Sequence, residues 1–122
     1  MVTLGGMSIY YVKVHDLLDG EKAHGTKVLV DRVWPRGIKK EDLGHDEWLK
    51  DVAPSTELRK WFDHDEDKFD EFSQRYRAEL DEGGDDVDKL LELAKDDVTL
   101  LYAAKDREIN QARVLAEWLE EQ

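Results

Sequence analysis

The stretch Val28-Leu29-Val30-Asp31-Arg32-Val33-Trp34-Pro35-Arg36-Gly37 constrains this chain more than any other. It opens as an apolar, β-branched run with the composition of a buried strand, and it predicts a strand over 28–34. Packing explains the valines and the leucine. It does not explain the aspartate, the two arginines and the tryptophan that follow. Pro35 removes a backbone donor and biases Trp34 toward extended geometry, so the ladder is expected to stop there, with Gly37 permitting the turn. Two arginines and a tryptophan then emerge at the carboxyl end of a strand, where open α/β sheets place their ligand sites.

Around that stretch, strands and helices alternate. Residues 9–14 are rich in strand formers, and residues 15–27, with Gly20 and Gly25, read as a loop. Residues 38–45 read as a polar connection with a weak helical tendency. Residues 46–53 fit either a helix ended by Pro54 or a short edge strand, and the spacing of Trp48, Leu49 and Val52 favours the helix. Ser55 is a good N-cap for a helix over 56–62, with Glu57 in its first turn complementing the dipole. Phe69, Phe72, Tyr76 and Leu80 recur at three- and four-residue steps, which predicts a helix over 66–82 stopped by Gly83. Asp85 is placed to cap a helix over 86–95. Residues 98–104 form a second buried strand, and a last helix spans 109–120. The expected fold is α/β: a single small domain whose parallel or mixed sheet of three to four strands is covered by helices.

A chain of 122 residues supports one core, assigned here to residues 9–122, with residues 1–8 as a flexible N-terminal extension. No apolar run approaches a membrane span of roughly 20 residues, and the first residues lack the pattern of a secretory signal, so a cytoplasmic location is expected. The net charge of −12 argues against broad binding to nucleic acid or to an anionic membrane. Its distribution is informative: residues 27–40 hold five Lys or Arg against one acid, whereas residues 41–97 hold 21 acids against eight bases. The acids read as the solvated faces of helices, and the basic segment as a local contrast suited to a small anion.

Several chemistries are absent or only mimicked. The chain has no cysteine, which removes disulfides, thiolate metal sites and thiol nucleophiles. Gly20 to Lys27 imitates a phosphate-binding loop, but its Lys and Thr are reversed and a strand follows where that motif needs a helix. Asp63, Asp65 and Asp67 alternate like the first ligands of a calcium loop. Lys68 stands where that loop needs glycine and Gln74 where it needs glutamate, so helix capping explains the acids better. The four histidines form no close pair on a helix face, so no metal site is expected, and no cofactor motif is present.

Leu29 to Gly37, Trp48 with Ala53 to Phe62, Arg75-Tyr76, and Leu100 to Asp106 with Asn110 and Ala112 together resemble the domain of unknown function 488 family (DUF488, YeaO-like bacterial proteins). The resemblance covers most of the chain from about Ile9. It implies a compact α/β domain in a bacterial cytoplasm and carries no activity with it.

If the strands over 28–34 and 98–104 are parallel neighbours, their carboxyl ends bring Arg32, Trp34 and Arg36 together with Lys105, Asp106 and Asn110. Ser55 and Arg59 can join from the helix after Pro54. Guanidinium groups, a lysine and the amides of the last helix suit phosphate or carboxylate, so a small anionic ligand is expected, with Arg32, Arg36 and Lys105 converging on it. The competing reading makes these residues structural ion pairs and caps, Asp31 with an arginine above all. An enzyme would need a base or nucleophile. Asp31 or Asp106 as general base, acting on a phosphorylated or nucleotide-like substrate, is the most concrete mechanism. Ser55 is explained by capping. The non-catalytic alternatives are an anion or nucleotide sensor, a module that clamps a single-stranded nucleic-acid base on Trp34, or a protein-interaction module. The oligomeric state is not legible.

Overall fold

The computed structural model describes residues 8–122. The extension expected over residues 1–8 lies outside the described residues except for Ser8, whose backbone amide donates to Asp97 Oδ1 at 2.9 Å.

The chain runs β1 (Ile9–Lys13), α1 (Val14–Leu18), β2 (Thr26–Leu29), α2 (Lys40–Leu43), β3 (Glu47–Trp48), α3 (Thr56–Phe62), α4 (Phe69–Asp81), α5 (Asp85–Leu93), β4 (Val98–Tyr102) and α6 (Gln111–Glu120). Its four strands form one parallel sheet in the order β1-β4-β2-β3. The expected pairing of the two apolar strands holds, with Val28 opposite Leu100 and Leu29 opposite Leu101. Every residue of β4 is buried, because helices cover both faces of the sheet. Side chains alternate accordingly. Val28, Val30, Leu100 and Tyr102 face a large core with α3, α4, α5 and α6, while Leu29 and Leu101 face a smaller one with Val14, Leu43, Trp34 and Trp48.

Several expected boundaries move. The strand anticipated over 28–34 pairs only as far as Leu29, opposite Trp48, where β3 also ends. Beyond it, Val30 still donates its amide to Leu101, and the chain then bends at Arg32 and Val33. Residues 14–18, expected as strand end and loop, form a short helix with Val14 buried against the sheet. The segment 46–53 is not a helix: Glu47 and Trp48 pair with β2 as an edge strand, and Lys50–Val52 add one turn of 3-10 helix. The helix expected over 66–82 starts as a 3-10 turn over Glu66–Lys68, where Asp65 caps the Asp67 amide, and becomes regular at Phe69. Asp85 does not cap α5 with its side chain; Gly84 holds the cap position, and Asp85 is the first helical residue, where its charge complements the dipole.

Gly25 explains why the phosphate-loop mimic is structural. A Cβ there would stand 1.9 Å from the Asp97 carbonyl oxygen, which accepts the Thr26 amide, so the loop is pressed onto the chain entering β4. Among the described residues, no helix is long and apolar enough to cross a membrane.

Candidate functional site

A crevice of about 360 Å³ opens at the carboxyl ends of the strands, on the large-core side of the sheet. Its lining brings together Asp31 and Arg32 from the chain leaving β2, Arg59 and Lys60 from α3, and Asp63 and His64 just beyond α3. Asn110 and Gln111 close it at the start of α6. Phe62, Phe72, Pro54, Ala104 and Val33 supply the apolar walls, and Val33 is 64% exposed at the rim.

Three elements position these groups. Ser55 caps α3 by accepting the Leu58 amide, which sets Arg59 one turn into the helix. Asn110 caps α6 by accepting the Arg113 amide at 2.9 Å while donating to the Asp106 carbonyl. At the end of α3, Asp63 (φ 46°) and His64 (φ 56°) are consecutive non-glycine residues in the left-handed region, and both line the crevice. Such backbone is costly for a residue with a Cβ and is often retained where it aims a side chain.

Asp31 sits at the centre. Its Oδ2 accepts the Ala103 amide at 2.9 Å, its Oδ1 accepts Gln111 Nε2 at 2.6 Å, and its backbone carbonyl accepts Trp48 Nε1 at 2.7 Å. Loss of solvent pushes its carboxyl up to about 6, against the opposing pull of the Ala103 amide, the Arg59 charge and Gln111. Arg59 makes no hydrogen bond or ion pair with its guanidinium among the described residues, although its charge is felt at Asp31.

The other sequence-derived residues divide sharply. Arg32 lines the crevice, but its guanidinium is committed: it donates to the carbonyls of Ala53 at 3.2 Å and Pro54 at 3.4 Å and pairs with Asp51. The expected convergence of Arg32, Arg36 and Lys105 does not occur. Arg36 and Lys105 are exposed and lie outside the crevice lining, and Lys105 contributes its carbonyl, which accepts from Lys13. Ser55 is spent on capping and on donating its hydroxyl to Glu79 at 2.6 Å. Asp106 accepts the Glu108 and Ile109 amides, which hold its carboxyl below the usual range, Ile109 contributing most. Trp34 faces the opposite side of the sheet, stacked edgewise on Trp48 at 5.4 Å and against His45, with its Nε1 donating to the Ile38 carbonyl.

Gln111, Lys60, Asp63 and His64 were not anticipated. Gln111 follows directly from placing Asn110 at the cap of a helix that points at the site, whereas Asp63 and His64 owe their place to a backbone turn with no sequence signature.

The family model described as "Inactive DUF488-N3 subclade" matches residues 8–122. The uncharacterized protein YeaO of Escherichia coli strain K12 is 46% identical over 114 residues, covering 93% of this chain and 97% of the relative. Uncharacterized proteins of Mycobacterium bovis and Mycobacterium tuberculosis are each 42% identical over 95 residues, covering 78% of this chain and 80% of theirs. No solved structure matches.

Proposed function

This chain belongs to the DUF488 family, and since the matching subclade is described as inactive, we propose that its crevice binds a small anionic ligand without turning it over. The observation that carries this reading is Arg59: a guanidinium with no hydrogen-bonded partner among the described residues, facing a crevice of ligand size beside Lys60. A planar fork of donors left unpaired at the carboxyl ends of parallel strands is suited to two oxygens of one anion. Absence of turnover fits the two candidate bases. Asp106 lies outside the crevice lining and accepts two backbone amides through one oxygen, and no Ser, Thr or Tyr hydroxyl that Asp31 could activate lines the crevice among the described residues. The clamp on a single-stranded base loses support, because Trp34 is spent on packing the far face.

Calorimetric titration with phosphate, sulfate, nucleoside monophosphates and small carboxylates tests the reading. At least one is expected to bind at a stoichiometry near one, more weakly as salt screens the charge over about 8 Å. Arg59→Ala should abolish this binding, and Arg59→Lys should weaken it by loss of the fork. Binding that survives Arg59→Ala, or none from any member of the panel, would overturn it.

A further inference from the structure

The crevice differs from an ordinary phosphate site in what already occupies its positive end. The start of α6 points at the site, and the protein supplies its own acid there, Asp31, bound to Gln111 of the first turn. The Arg32 guanidinium is turned toward Asp51 and the carbonyls of Ala53 and Pro54, one contact from each of its nitrogens. What remains for a ligand is the Arg59 fork with Lys60 beside it, against a half-buried carboxyl and apolar wall surface from Val33 and Ala104, with the buried Phe62 and Phe72 behind them. A phosphate dianion would place two negative charges beside a carboxylate with few donors to balance them. A monocarboxylate needs one fork, and an apolar body would cover the walls.

Resting on the binding reading above, we propose that the ligand is a small monocarboxylate with an apolar or aromatic body, captured together with one proton that it shares with Asp31. Two carboxyl groups enclosed in one crevice cannot both stay ionised, so binding takes a proton from solvent onto the pair. The free carboxyl of Asp31, already raised to about 6, is mostly ionised at neutral pH and therefore has a proton to gain. The charged and titratable groups that face it are limited. Arg59 and Lys60 come from α3, Asp63 and His64 from the turn beyond it, Arg32 from its own strand end, and the Tyr76 phenol from α4. Burial holds the Tyr76 hydroxyl protonated, and it donates to the Val52 carbonyl. From the end of β4 come only Ala103 and Ala104, and from α6 the neutral Asn110 and Gln111. His64 is the one imidazole in the crevice lining.

Benzoate and inorganic phosphate are the probes, titrated calorimetrically into wild type at pH 7 in two buffers of different ionisation enthalpy. Benzoate should bind more tightly than phosphate and take up close to one proton, its affinity falling about tenfold per pH unit above 7. Asp31→Asn should bind benzoate with no proton uptake and little pH dependence. His64→Asn, which suits the left-handed backbone, should leave the uptake unchanged. Should Asp31→Asn fail to fold, the two-buffer result on wild type decides alone. Phosphate binding tighter than benzoate through Arg59, benzoate binding with no proton taken up, or uptake lost in His64→Asn would overturn this inference while the anion reading stands. Neither benzoate, phosphate nor any other member of the panel binding would end both.

Discussion

The two faces of the sheet are built on different principles. One face carries α3, α4, α5 and α6 and a continuous core in which Phe62, Phe72, Tyr76 and Tyr102 pack with aliphatic residues. The other carries only two short helices, α1 and α2, and is closed by the loop after β2. There Trp34 and Trp48 do what helices do elsewhere: each covers apolar surface and uses its indole N–H to satisfy a loop carbonyl, that of Ile38 or Asp31. The crevice lies on the helical face, where the chain leaving β2 meets the end of α3 and the start of α6. The proposed binding crevice thus lies on the side with the larger core.

The sharpest test of that contrast is Phe72→Ala. Phe72 is 1% exposed and stacks on Phe62 with ring centroids 4.2 Å apart, so truncation leaves a cavity in the large core. Urea denaturation should show a loss of about 3–5 kcal/mol. A loss below about 1 kcal/mol would mean that the helical face is loosely packed and the crevice wall is not rigid.

Asp31 joins the two faces, its carbonyl holding Trp48 and its carboxyl holding Gln111, and it makes a prediction about pH. Its folded value of about 6 lies above the usual 3.8, so the folded state keeps a proton that the unfolded state has released. The stabilisation is complete below about pH 4 and is lost as pH rises through 6, by about 3 kcal/mol in all. Denaturation of wild type and Asp31→Asn between pH 4 and 7 should show the difference between them shifting against wild type across that window. Parallel curves would place the carboxyl in a better solvated setting than its neighbours imply.

Trp34→Ala should cost less than Phe72→Ala, about 2 kcal/mol, because Trp34 is half-buried and a loop can partly close the gap. It should leave affinity for any crevice ligand unchanged. A loss as large as that of Phe72→Ala would erase the distinction between the faces, and a loss of ligand affinity would return Trp34 to the site.

How far the sequence could be read follows the same division. Val98–Tyr102 is apolar at every second and every intervening position but one, and a strand of that kind needs cover on both faces, so the layered sheet was legible. Ser55 and its one-turn-later partners marked α3 to the residue, and with it Arg59. Strand length was not legible at β2. A ladder ends where its partners end, and no residue between Leu29 and Trp34 announces that β3 is two residues long. The segment around Trp48 has helical spacing, yet pairing with β2 outweighs a pattern only one turn long. Arg36 and Lys105 were placed by strand topology alone, which says where the chain emerges and not where a side chain turns once the pleat has ended.

The smallest expected effect is at those two cations. Arg36 and Lys105 are exposed, their side chains have no hydrogen-bond or ion-pair partner among the described residues, and neither lines the crevice. Arg36 belongs to the loop that seals the thin face, where Gly37 (φ 79°) turns the chain toward Ile38. Their charge reaches a bound anion only through solvent, where screening acts over about 8 Å at physiological salt. Arg36→Ala and Lys105→Ala should therefore change anion affinity by no more than about twofold and stability by less than about 0.5 kcal/mol, in contrast to the complete loss expected of Arg59→Ala. Low salt should widen the small difference, since a purely long-range contribution grows as screening weakens. A tenfold loss that persists at high salt would instead require direct contact. The ligand would then extend over the end of the sheet onto the loop, and the thin face would be part of the binding surface.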